Sequence, residues 1–371
     1  MNSCPVGPEI PPAGRPDPLE EAFFLDSLRQ VSRTFDFCIR VLPTRLRRPI
    51  ALAYLLCRIA DTVEDEPSAP PGRKAEALAG FRKALATPEP DGSLEDFLEG
   101  FFRSIPRDTP DVRLGRESRR VLAGLRRLPR AQREAVVPWV SELASGMAEY
   151  STRAPGPDGV LALKDMEDLD NYCYYVAGTV GRMLTELFIL DLGLSGERAA
   201  ALRSRAVPFG QGLQLVNILK DVRPDSRRAR CFLPASVLAA AGVAPGALSA
   251  ATDAAALRRA IIPVAAKAFD RLRTALDYLL LLPRTAPRIR LFCAWPLFMA
   301  VETLPVCLAR PAEGPDASDV SLKITRTDVK RIRRQAMLRV FSNGMLRRHF
   351  ERSAGPLKAM MENPEPEPGL C

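Results

Sequence analysis

Two stretches of this sequence set carboxylates at helical spacing inside otherwise apolar runs. In "LLCRIADTVEDEP", residues 55–67, an apolar segment leads into Asp61, Glu64 and Asp65. Residues four apart on a helix are neighbours, so Asp61 and Asp65 repel each other by about 0.2–0.5 kcal/mol unless a cation lies between them. In "QGLQLVNILKDVRPD", residues 211–225, Gln214, Asn217, Asp221 and Asp225 step by three, four and four. They share one stripe of a helix whose other positions are largely Leu, Val and Ile. Clustered carboxylates with an amide carbonyl are hard oxygen ligands that suit Mg²⁺, an ion that keeps waters and bridges to phosphates instead of filling a protein-only cage. Two such helices facing each other would clamp a diphosphate through several Mg²⁺ ions, cancelling charge on the leaving group as its carbon–oxygen bond breaks. One such helix alone would read as a solvent-facing patch balanced by Arg58, Lys220, Arg223 and Arg227. Two of them favour the metal reading.

Composition removes most competing chemistries. His349 is the one histidine, set in the basic run "MLRRHF", where a solvated surface position is expected. Histidine catalysis and histidine metal sites are thereby set aside, leaving carboxylates, tyrosines and cations. The eight cysteines are scattered without a C-x-x-C pair, which suits reduced thiols in a cytosolic compartment better than a disulfide framework or a zinc site. A net charge of +9 points to an anionic partner. The excess is spread over runs at 45–48, 113–120, 126–133, 223–230 and 330–335 that read as solvated helix faces. No aromatic interleaving or zinc-finger spacing accompanies them, so no nucleic-acid partner is expected.

The elements that must carry the carboxylates are helical nearly everywhere. "PLEEAFFLDSLRQVSRTFDFCIRVL" and "AAALRRAIIPVAAKAFDRLRTALDYLLLL" repeat apolar residues every three or four positions, and strand-like alternation is scarce. The expected fold class is all-α, one helical domain over 18–350 between a proline-rich disordered leader (1–17) and a disordered tail (351–371). Residues 291–309, "LFCAWPLFMAVETLPVCLA", are long enough to span a bilayer, but Glu302, Pro296 and Pro305 favour a buried helix. A cytoplasmic chain without a transmembrane anchor follows, with membrane contact limited to the periphery. Gly178 and Gly181 in "VAGTVG" suggest a kink, or a close approach by substrate or another helix.

Five segments together resemble the squalene and phytoene synthase family: "SRTF" (32–35), "YLLCRIADTVED" (54–65), "YCYYVAGTVG" (172–181), "QLVNILKDVRPD" (214–225) and "RCFLP" (230–234). The resemblance runs from about residue 20 to about residue 335. It implies an isoprenoid-synthase-type helical bundle with a central cavity, joining two prenyl diphosphates head to head. "GMAEY" (146–150), "FCAWPLFMAVETL" (292–304) and "SLKI" (321–324) are similar to the squalene synthase branch. That branch implies condensation of two farnesyl diphosphates to presqualene diphosphate, then rearrangement and reduction by NADPH to squalene. A phytoene or dehydrosqualene synthase, which ends without hydride transfer, is the nearest alternative. A non-catalytic basic module on anionic surfaces is the remote one, and it predicts salt-sensitive binding indifferent to Asp61 and Asp221.

Carried over by position, the resemblance makes Asp61, Glu64 and Asp65 the first metal motif and Asn217, Asp221 and Asp225 the second. Pro224 stands where the family often has Glu. Tyr172 matches a tyrosine that assists proton removal or steers the cation, and Tyr54, seven residues before Asp61, orients or shields on the metal-facing side. Phe292 matches an aromatic of the second reaction pocket, where a π face stabilises a carbocation. Val176 and Val180 would line the isoprenoid channel, with Gln214 on its polar edge. Arg33, Arg58 and Arg230 match contacts to diphosphate or to the cofactor's phosphates. Lys323 resembles a cofactor-contacting lysine, but Thr325 stands where an arginine is expected and Arg326 is displaced by one.

Overall fold

The periodic apolar runs become helices in the computed structural model, which describes residues 18–89, 92–249, 254–309 and 322–362. The first half holds α1 (Pro18–Val31), α2 (Arg33–Val41), α3 (Thr44–Asp65), α4 (Pro71–Ala86), α5 (Gly92–Arg103), α6 (Pro110–Arg116), α7 (Ser118–Arg126) and α8 (Arg130–Ser151). The second holds α9 (Met166–Cys173), α10 (Thr179–Leu192), α11 (Gly196–Ser226), α12 (Ala235–Ala240), α13 (Ala254–Leu281), α14 (Pro287–Ala309), α15 (Arg326–Arg339) and α16 (Asn343–Glu362). Among the described residues the strands are two short ones, β1 (Leu161–Ala162) and β2 (Arg230–Cys231), paired in parallel with Leu161 opposite Arg230. The fold is the all-α class expected from the periodicity.

α3 runs through the middle because it is apolar nearly all round. Leu52, Leu55, Leu56, Ile59 and Val63 are fully buried, and the one less buried stripe is Tyr54, Arg58, Asp61 and Asp65, at steps of four, three and four. That stripe looks toward α11, which packs along α13 and also touches α10 and α14. A π-helical turn, Tyr174–Gly178, joins α9 to α10 and shifts the register there, as π turns inside helices do.

Gly181 is where α10 meets α11. A Cβ on Gly181 would lie 2.1 Å from the Ala206 carbonyl oxygen, and one on Gly210 would lie 2.1 Å from that of Ala177. The close approach inferred from "VAGTVG" is therefore helix against helix, at the edge of the cavity described below. Because backbone atoms, not a side-chain tip, would be struck, Gly181→Val must push the two helices apart. A loss of about 3 kcal/mol is expected. Thermal unfolding checks it, with the midpoint falling by roughly 4 °C.

Two expectations need correction. His349 is not a surface residue: it is 3% exposed and packs its ring on Phe298 at 4.4 Å. It shares the inner face of α16 with Leu346, Phe350, Ala354 and Leu357, at three- and four-residue steps. Burial, with Arg339 adding repulsion, pushes its imidazole down to about 4. Second, α16 continues to Glu362, past the expected tail start at 351, because Ala354 and Leu357 extend that same apolar face. Arg290, outside the basic runs expected to be solvated, has no exposed surface.

The long apolar run is α14, mostly buried inside the bundle, with Glu302 held by Arg331 and by the Ser353 hydroxyl. The six described cysteines are buried and unpaired. The leader, Cys4, Cys371 and residues 363–371 lie outside the described residues.

Candidate active site

Between α3, α11 and their neighbours lies a cavity of about 340 Å³, within the range of small-molecule sites. Tyr54, Arg58 and Asp61 of α3 and Gln214 and Asn217 of α11 form its polar end. The rest is apolar, with Val176 and Val180 from the π turn and α10, Phe35 from α2, Phe209 from α11 and Phe292 from α14. Phe292 sets its ring edge-on to Phe188 at 5.8 Å. At the far end Thr185 donates to the Gly181 carbonyl at 2.8 Å, so the Tyr278 hydroxyl, 2.9 Å away, donates to Thr185. That exchange satisfies two buried hydroxyls in an otherwise apolar wall.

Arg58 is held from three sides. Its Nη2 donates to the Tyr54 hydroxyl at 3.1 Å, Nη1 lies 3.9 Å from Asp61, and Nε lies 3.6 Å from Asp111 of α6. Asp111 carried no signal in the sequence, because only the packing of α6 on α3 brings it there. Lys74 of α4 was missed for the same reason. Its buried Nζ donates to the Glu64 carbonyl at 2.8 Å. Arg230 donates to that carbonyl at 2.9 Å and to Asp65 at 2.6 Å, so two cations cap the negative C-terminal end of α3.

The carboxylates are kept out of water and close to one another. Burial pushes Asp61 up to about 6 against the pull of Arg58, with Asp65 and Asp111 adding repulsion. Burial likewise takes Glu64 up to about 8, with Asp65 contributing and Arg230 opposing. Asp225 rises to about 7 through burial, the charge of Asp221, and that of Asp65 on the other helix. Asp65 and Asp225 thus feel each other across the gap, and the two acidic stripes face one another.

Their chemistry fits a hard divalent cation. Lys220 already places its ammonium where oxygens of the second stripe converge, 3.0 Å from Asn217 Oδ1 and 3.1 Å from Asp221 Oδ2. No group of three His, Cys, Asp or Glu among the described residues is tight enough to hold a metal alone. Mg²⁺ would complete its shell from water and phosphate oxygens, as it does elsewhere. Asp61, Glu64, Asp65, Asn217, Asp221 and Asp225 are the groups that would hold it.

Other expected site residues fall differently. Tyr172 is not on the cavity wall. It stacks on Phe232 at 4.8 Å, and burial and the charges of Glu64 and Asp65 push its hydroxyl well above the usual phenol range. Lys323 is exposed, beside Leu322, whose amide donates to the Lys220 carbonyl at 3.2 Å. Thr325 is occupied in a capping box with Asp328 at the start of α15. The Arg33 side chain lies outside the described residues.

Comparison with known proteins agrees with this fold. The family model described as squalene/phytoene synthase matches residues 28–328. A squalene synthase of Schizosaccharomyces pombe is 29% identical over 300 residues, 81% of this chain and 61% of its own length. The squalene synthase LSS of Botryococcus braunii is 31% identical over 290 residues, 76% of this chain and 57% of its own. The chain thus spans about three fifths of the length of these relatives. In fold it matches TcSQS in complex with the ligand BPH1237, with a TM-score of 0.70 at 24% identity over 92% of this chain and 99% of that one. A ligand complex of a dehydrosqualene synthase gives 0.57 at 21% identity over 92% and 97%. With the family model matched from α1 into α15, this chain belongs to the squalene/phytoene synthase family of prenyltransferases.

Proposed function

We propose that this chain joins two farnesyl diphosphates to presqualene diphosphate and converts that, with hydride from NADPH, to squalene. The observation that carries the reading is the polarity of the cavity, with Asp61, Arg58 and the amides of Gln214 and Asn217 at one end and largely hydrocarbon walls along the rest. A prenyl diphosphate has the same two ends. Mg²⁺ held by the two stripes supplies compensation for the charge that grows on the departing diphosphate. Arg58, steadied by Tyr54 and Asp111, offers its guanidinium fork to phosphate oxygens. Val176, Val180 and Phe292 exclude water from a cationic intermediate, and the faces of Phe292 and Phe188 stabilise it. Tyr172, with its hydroxyl pushed up by burial and neighbouring carboxylates, stays protonated at neutral pH. It orients groups at the acidic end and is not a resting phenolate base.

For the cofactor, the squalene synthases among the relatives favour NADPH, and Lys323 and Arg230 are the cations proposed to meet its phosphates. The dehydrosqualene synthase among the fold neighbours keeps the reading without hydride transfer in view. Purified protein, farnesyl diphosphate and Mg²⁺, with and without NADPH, separate the two. Squalene is expected with NADPH, and presqualene diphosphate accumulates without it. A C30 or C40 polyene formed equally in both tubes would overturn the reductive half of the proposal.

A further inference from the structure

The corner between α15 and α16 carries a concentration of apolar surface that packing does not explain. Of the seven large hydrophobic side chains most exposed among the described residues, four lie between 337 and 345. Leu338 is 69% exposed, Phe341 61%, Met337 45% and Met345 38%. Their inward neighbours Ile332, Ala336, Val340 and Leu346 are buried, so the two helices are docked and the outer face is left bare. Arg290 pins the corner from inside, donating to the Val340 carbonyl at 2.8 Å and to Asn343 Oδ1 at 2.7 Å.

A ring of positive charge surrounds the bare patch. Residues 326–352 contain nine lysines and arginines against two acidic residues. Lys330, Arg334, Arg347, Arg348 and Arg352 are exposed, and none is ion-paired among the described residues. Helical spacing puts Arg334 on the face of Leu338, and Arg348 on the face of Met345. An apolar centre with an unneutralised basic rim fits a surface that is hydrocarbon beneath and anionic above. A phosphate backbone would satisfy the rim but leave the four apolar side chains in water.

We infer that the α15–α16 corner is a docking surface for an anionic lipid bilayer, with Met337, Leu338, Phe341 and Met345 entering the acyl region and the arginines on headgroup phosphates. The surface stands whatever the cavity does. Its place in the bundle is nevertheless informative. α14 begins at this corner with Arg290 and, about 25 Å further on, brings Cys307 within reach of the charges of Lys220 and Asp221. Docking here therefore turns the end of the bundle nearest Phe292 and Tyr278 toward the membrane and the carboxylate end toward water.

The test is flotation of the purified full chain with phosphatidylcholine vesicles, with and without roughly a third phosphatidylglycerol. Each basic contact is worth about fivefold in binding, so flotation with the anionic vesicles should exceed that with the neutral ones by more than tenfold. L338S/F341S and R347E/R348E should each lose at least tenfold with unchanged circular dichroism, because these side chains make no buried contact. Leu190→Ser, exposed elsewhere on the molecule, should float like the parent. The inference is overturned if the parent chain does not float, or if L338S/F341S floats as well as it does. It is equally overturned if the patch instead holds a second copy, seen as a dimer that L338S/F341S converts to monomer without any vesicle binding. Duplex DNA binding lost in R347E/R348E, again without flotation, also overturns it.

Discussion

Asp61→Asn is expected to lower turnover by about a thousandfold or more while leaving the thermal midpoint unchanged or raised. The catalytic loss follows from what a metal does for a departing diphosphate, several kcal/mol of charge stabilisation, of which each 1.36 kcal/mol is tenfold in rate. Asparagine keeps the shape and loses the anionic oxygen that holds the ion. The effect on stability has the opposite sign. Burial and the charges of Asp65 and Asp111 hold the Asp61 carboxyl up at about 6, above its ordinary value of 3.8. A raised carboxylate makes the folded state bind protons more readily than the unfolded chain, so above that range the ionised group works against folding. Removing its charge relieves the repulsion. Steady-state kinetics and thermal unfolding at pH 8 check both halves, and a variant with near-normal turnover would contradict the metal assignment.

Arg290→Ala should be the most destabilising single change in the second half of the molecule. The guanidinium is wholly buried, and no carboxylate pairs with it among the described residues. Its charge is instead met by carbonyls where helices end, Leu282 after α13 at 2.6 Å and Val340 after α15 at 2.8 Å, and by Asn343 at the start of α16. Helix C-termini are negative, so three helix ends are tied through one cation. Alanine leaves those acceptors unpaired in a cavity, at a cost of about 3–5 kcal/mol. The midpoint should fall by roughly 4–6 °C. Arg290→Met, which restores volume but not donors, should recover only a minor part of that loss. A fall of less than about 2 °C for the alanine variant would show that the carbonyls find other partners.

Much of this was legible in the sequence because helical period reports which residues share a face. It identified both acidic stripes, whereas the family resemblance marked Val176, Val180 and Phe292 for the wall they occupy. Period does not say what a face will meet. Asp111 and Lys74 come from α6 and α4, and nothing near them in sequence ties them to Arg58 or Glu64. Tyr172 is one turn from Val176 on paper, but the π turn begins between them, at Tyr174, and Tyr172 lies behind the carboxylates while Val176 lines the cavity. The spacing of His349 to Leu346 and Phe350 belongs to a buried face, although Arg347 and Arg348 precede it.

The most direct test of the two facing stripes is calorimetric titration of a non-reacting farnesyl thiodiphosphate into the protein, with and without Mg²⁺. With carboxyls held up at about 6 to 8, ligation must expel protons, so binding should strengthen as pH rises through that range and release protons to the buffer. The account predicts at least a hundredfold tighter binding with Mg²⁺, an enhancement that Asp61→Asn on α3 and Asp225→Asn on α11 each abolish. Equal affinity with and without Mg²⁺, or an enhancement that survives both substitutions together, would contradict it.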